Sequence, residues 1–175
     1  TTDLTAPSTL EIPNAFGHGT STSVEIEQPV STDLTISEKT TSDKELPETL
    51  SVEMETTASL IVDTPNLTVS LEGSYTTVEA TTAENTLVVA KNTVIETLTV
   101  KKGNVKIYGT VGEIVNEGTG KIIRCIDAQD EVERTLADTR CDHILIEKPA
   151  GTLDFGGGTT TKQICVEASV TIANL

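Results

Sequence analysis

The chain has 175 residues, 27 acidic and 12 basic, and a net charge of −15; a surface of that sign repels nucleic acid and anionic membranes. Two Phe, two Tyr and no Trp stand against 32 Thr, so a core must come from Val, Ile and Leu, which favours β structure. No run of 18 apolar residues is present, which excludes a membrane-spanning helix.

The chain opens Thr1-Thr2-Asp3, without a Met or a charged-then-apolar leader, as a trimmed chain or a mature exported one does. High Thr and few aromatics agree, and the expected location is extracellular or at the cell surface. Short β-like runs, most of them apolar, polar, apolar, then follow one another. They are Leu10–Ile12, Val24–Ile26, Leu34–Ile36, Leu50–Val52, Leu60–Val62, Leu67–Val69, Leu87–Val89 and Leu98–Val100. The series continues with Val105–Ile107, Glu113–Val115, Lys121–Ile123, Ile144–Ile146, Ile164–Val166 and Val170–Ile172. Alternation with period two marks a strand with one buried face.

Between Leu98 and Lys121 the turns are most legible, at Lys101-Lys102-Gly103-Asn104, Gly109-Thr110 and Asn116-Glu117-Gly118-Thr119-Gly120. Three runs with three corners fill about 23 residues there, so the spacing predicts a parallel β-helix, a solenoid of about 20 to 24 residues per coil. The alternative is a β-sandwich, whose strands recur every 8 to 12 residues or so. Sandwich hairpins favour Asn-Gly or Asp-Gly, and the chain contains neither.

Charge divides the chain. Residues 1–80 hold fourteen acids and two lysines, whereas the three Cys and three Arg lie beyond residue 120. The strand pattern persists across this change, so the reading is one elongated solenoid over 1–175, with 1–80 a less regular acidic part. Residues 127–140 depart from it. Ala128, Val132 and Leu136 have helical spacing behind an Asp127 N-cap, which predicts a helical or loop insertion.

Chemical motifs are sparse. Cys125, Cys141 and Cys165 form no CxxC pair, so they read as small apolar residues of which at most two can pair within the chain. Cys141 and His143 share a strand face, but no third partner or oxyanion element accompanies them. The run Gly156 to Lys162 lacks the order of a phosphate loop. Asp127, Asp130, Glu131 and Glu133 cluster without the spacing of a calcium loop and suit a helix start. No catalytic residue, no metal site and no cofactor is therefore expected. Thr-x-Thr pairs such as Thr97-Leu98-Thr99 are too irregular for an ice lattice, and four aromatics are too few for a broad sugar cleft. Asn66-Leu67-Thr68 is a sequon of meaning only in a eukaryotic secretory host.

The stretch from Thr97 to Ile123, TLTVKKGNVKIYGTVGEIVNEGTGKII, resembles repeats of secreted and surface proteins of gut Bacteroidetes that form right-handed, pectin-lyase-like parallel β-helices. That resemblance spans about residues 50–175 and implies an exported surface protein of uncharacterised role. The lyases and hydrolases of that fold carry calcium-binding Asp clusters with an Arg or Lys base, or several catalytic Asp, and no such motif maps onto this chain. The expected function is thus a non-enzymatic structural or adhesion module whose partner is a surface glycan or protein, with end-to-end pairing of two copies through an uncapped coil. The alternative is a carbohydrate-binding or polysaccharide-degrading fragment, with Arg124, Asp142, Glu147, Lys148, Asp154 and Tyr108 as its candidate site residues.

Overall fold

A computed structural model describes residues 8–13, 21–27, 29–39, 49–81, 86–126, 141–148, 152–154, 160–167 and 169–173. The predicted insertion at 127–140, with its candidate calcium cluster, and the glycine run at 156–158 lie outside these residues. Each of the fourteen predicted runs overlaps a strand. The strands are β1 (Ser8–Pro13), β2 (Ser21–Glu25), β3 (Leu34–Lys39), β4 (Thr49–Asp63), β5 (Thr68–Ala80), β6 (Thr86–Val89) and β7 (Val94–Val100). They continue with β8 (Asn104–Ile107), β9 (Thr110–Asn116), β10 (Lys121–Ile126), β11 (His143–Ile146), β12 (Thr152–Asp154), β13 (Gln163–Val166) and β14 (Thr171–Ala173).

All the strand pairs are parallel, and the result is a β-solenoid. One ladder runs β2, β4, β5, β6, β8, β10, β11, β13; a second runs β1, β3, β4, β5, β7, β9. Strands β4 and β5 belong to both because they turn the corner without ending, at a register shift between Thr56 and Ser59. Among the described residues the coils from β4 to β9 therefore have two strands rather than the three expected, and Leu50–Val52 and Leu60–Val62, separate runs in the sequence, fuse in β4. On the first ladder Leu50, Val69, Leu87, Val105 and Ile122 stack 17 to 19 residues apart. Beyond them Arg124, Ile144 and Ile164 stack 20 apart.

The alternation seen in sequence becomes inside and outside. Leu50, Val52, Met54, Leu60 and Val62 of β4 are buried while Glu53, Glu55 and Asp63 are exposed. On the second ladder Leu34, Leu60, Val78 and Leu98 form an inward column, each at most 2 % exposed. A channel this narrow admits branched aliphatics, stacked at the interstrand spacing of about 4.8 Å. Its one buried aromatic among the described residues, Tyr75, sits at the corner and donates its hydroxyl hydrogen to the Glu72 carbonyl at 2.8 Å. Gly73 passes the same corner at φ +108, where a Cβ would lie 2.1 Å from the Met54 carbonyl oxygen.

The threonines have a use beyond strand propensity. Thr76, Thr81, Thr93 and Thr161 each donate an Oγ1 hydrogen bond to a backbone carbonyl one coil earlier, on Thr56, Val62, Leu71 and Asp142, at 2.6 to 3.2 Å. These residues lie at corners and strand ends, where carbonyls leave the ladder and need another donor.

Candidate functional site

Five of the six candidates come from three consecutive levels of the first ladder. Tyr108 follows β8, Arg124 lies in β10, and Asp142, Glu147 and Lys148 flank β11. Asp154 closes β12, paired with Ala173. The register divides the rest into two groups at opposite ends of the strands. Asp142 and Glu147 are five residues apart along one extended strand, which separates them by about 16 Å.

At the C-terminal end of the strands the Tyr108 hydroxyl donates to Glu147 Oε1 at 3.0 Å. The Cys125 thiol, 1 % exposed, lies within hydrogen-bond reach of the same hydroxyl. Burial first, then the Cys125 and Glu147 neighbours, pushes the Tyr108 phenol well above its ordinary range. Burial likewise raises the Cys125 thiol. Both groups therefore keep their protons at neutral pH, and the thiol is not poised as a nucleophile. Lys148, next along, is exposed.

At the N-terminal end Asp142 accepts a hydrogen bond from the Ile122 amide at 3.2 Å and pairs with Lys162 Nζ at 2.6 Å. The Lys162 ammonium, with the Ile122 amide, holds the Asp142 carboxyl below the usual range. Cys141, raised by burial, is hydrogen-bonded to the Arg124 backbone and to Thr161. Between the two groups Arg124 donates Nη1 to the carbonyls of Ile107 and Cys125, at 3.0 and 3.1 Å.

The structure thus joins Tyr108 to Glu147 and sets Asp142 apart from them. Sequence reading missed Lys162 as a partner of Asp142, and the coil period is the signal that finds it. Lys162 follows Asp142 by 20 residues, one coil, and Glu147 follows Tyr108 by 39, two coils. The three cysteines are free thiols, and Cys125 and Cys165 are kept apart on the ladder by Leu145. Among the described residues no three His, Cys, Asp or Glu side chains are grouped to hold a metal ion, and no helix is long and apolar enough to cross a membrane. No protein-family model, no curated protein and no solved structure matches the chain. The kinship with pectin-lyase-like repeats that the stretch at Thr97 suggested gains no support from these comparisons, and what stands is the parallel β-solenoid.

Proposed function

We propose that the chain is a non-enzymatic structural or adhesion module, exposed outside the cell, that holds or spaces other parts at a surface. One observation carries this reading: polar side chains are engaged between coils. Four threonine hydroxyls latch to the preceding coil. Lys101 pairs with Glu79 at 2.9 Å, Lys162 with Asp142, and Tyr108 with Glu147. Groups committed to neighbouring coils resist separation of the coils, which is what a load-bearing spacer requires. The export-like composition supports the location, and the style of the Thr97–Ile123 repeat supports kinship with surface solenoids.

End-to-end pairing belongs to the same proposal. Val166 stacks on Ile146, yet it is 46 % exposed where Ile146 is fully buried. A second copy laid on β13 covers it. Sedimentation across a concentration range tests this, and a monomer throughout discards it.

The second reading, a carbohydrate-binding or polysaccharide-degrading fragment, draws on Tyr108, Glu147 and Lys148 at one corner. Incubation with a panel of neutral and acidic polysaccharides, with and without calcium, separates the two. The structural reading expects no new reducing or unsaturated ends. New ends that disappear in Glu147→Gln overturn it in favour of a lyase or hydrolase. Retention without cleavage, lost in Tyr108→Ala, identifies the adhesion partner as a glycan.

A further inference from the structure

The first ladder ends at β13, which among the described residues pairs with β11 alone. On the side of β11 the packing is ordinary: Ile164 lies with Val170 and Ile172 against the buried Ile126, Ile144, Ile146 and Leu153. On the other side the apolar column stays open. Ile164 and Cys165 are half-buried and Val166 is 46 % exposed, whereas Ile144 and Ile146, their neighbours one level earlier, are fully buried. The main chain is open there too. Gln163 and Glu167 donate their amides back to the carbonyls of Asp142 and Ile146, at 3.2 and 3.0 Å. Alternation along the strand therefore turns the N–H and C=O groups of Ile164 and Val166 towards the free edge, and an edge of this kind accepts a further strand.

A second copy of β13 fits that edge by antiparallel pairing. A two-fold axis normal to the sheet keeps inward side chains inward and sets edge-facing residues opposite each other, so Ile164 of each copy stands opposite Val166 of the other. A shift of two residues one way sets Val166 against Lys162, and the other way carries Ile164 past the strand end. In the matched register Cys165 faces its own counterpart on the outer side of the sheet. That position is a non-hydrogen-bonded pair, with Cα atoms about 4.5 Å apart.

Charge decides between this arrangement and head-to-tail stacking of β13 on β2. Residues 1–80 hold fourteen acids and two lysines, and residues 81–175 thirteen acids and ten bases, so two C-terminal ends repel each other least. At the β2 end Val24 and Ile26 are half-buried against the core and leave less apolar surface to cover. We infer that two copies join through β13 in the antiparallel register of Ile164 on Val166, as a closed dimer that brings the two Cys165 thiols together. The inference rests on the end-to-end pairing proposed above and specifies its face and its symmetry.

Sedimentation of the full chain across a concentration range, with the same samples then held in a glutathione redox buffer, tests it. Oxidised glutathione takes two electrons and two protons from the paired thiols, leaving one S–S bond and two reduced glutathione molecules, and the Cα separation lies within the range a disulfide spans. The expected species is no larger than a dimer and is cross-linked through Cys165 in peptide mass spectra, while Cys165→Ala dimerises without the cross-link. Val166→Lys acts twice in a two-fold interface and should weaken association by about a hundredfold or more, with loss of the cross-link at the same concentration. A dimer that does not cross-link at Cys165, or oligomers that grow past the dimer, overturn this register but not the pairing. A monomer throughout overturns both. Cross-linking that survives Val166→Lys marks chance collision of thiols and overturns the inference, and if that variant does not fold the wild-type result alone decides.

Discussion

At Gly73 the backbone demand is local and severe. Its φ of +108 lies where other residues are strained, and a Cβ there would overlap the Met54 carbonyl on the adjacent strand. Gly73→Ala should therefore destabilise by about 2 kcal/mol or more in a denaturant titration, whereas Val94→Thr, at a position 48 % exposed, should stay within about 0.5 kcal/mol. Two buried threonines offer a sharper contrast. Thr93 Oγ1 donates to the Leu71 carbonyl at 2.6 Å, while Thr56 Oγ1 is buried with no hydrogen-bond partner. Thr93→Val should cost about 1 to 2 kcal/mol, and Thr56→Val, which removes an unsatisfied hydroxyl at constant shape, should stabilise by about 1 kcal/mol. Midpoints that move in the same direction for both variants contradict this assignment of hydrogen bonds.

Within the elements, the tie from Asp142 to Lys162 and the Ile122 amide joins three successive levels and carries a pH signature. Because the folded carboxyl is held below its ordinary value, its contribution to stability is complete above the unfolded value, about 3.9, and is lost as pH falls through the folded one. Asp142→Asn should flatten the acid limb of the stability profile and leave the slope above pH 6 unchanged; an unaltered acid limb shows that the tie is not made in solution. These strands were largely legible in sequence, because alternation with period two survives wherever one face is buried, as in Leu50–Val52 and Leu98–Val100. What misled was the corner. At Thr56 to Ser59 the chain bends without Gly or Pro, so Leu50–Val52 and Leu60–Val62 read as two strands where the structure has one. The candidate charges were legible as residues but not as partners, since Tyr108 and Glu147 meet only across two coils. Pairing at that range depends on the true coil length, which is shorter in the middle of the chain than the turn residues suggested.

For the whole molecule, the charge of −15 acts on an ordered lattice of side chains. Glu25, Glu53 and Glu72 stack in one outward column, all exposed, at successive levels of the ladder. Like charges so placed repel, and the repulsion is screened by salt. The unfolding midpoint should rise between low salt and about 0.5 M NaCl, and Glu53→Gln should raise stability by about 0.5 kcal/mol at low salt and by less at high salt. A salt-independent midpoint contradicts that picture.

The solenoid register underlies all of these effects, and cross-linking reads it directly. In a background with Cys125, Cys141 and Cys165 replaced by Ala, Ser51→Cys with Ser70→Cys places two thiols on adjacent levels, and Ser51→Cys with Val88→Cys places them two levels apart. Adjacent levels lie about 4.8 Å apart, within the Cα separation a disulfide spans, and two levels, about 9.6 Å, do not. Mild oxidation should close the first pair and leave the second as free thiols. Closure of the second pair, or failure of the first in a folded protein, contradicts a parallel solenoid in this register.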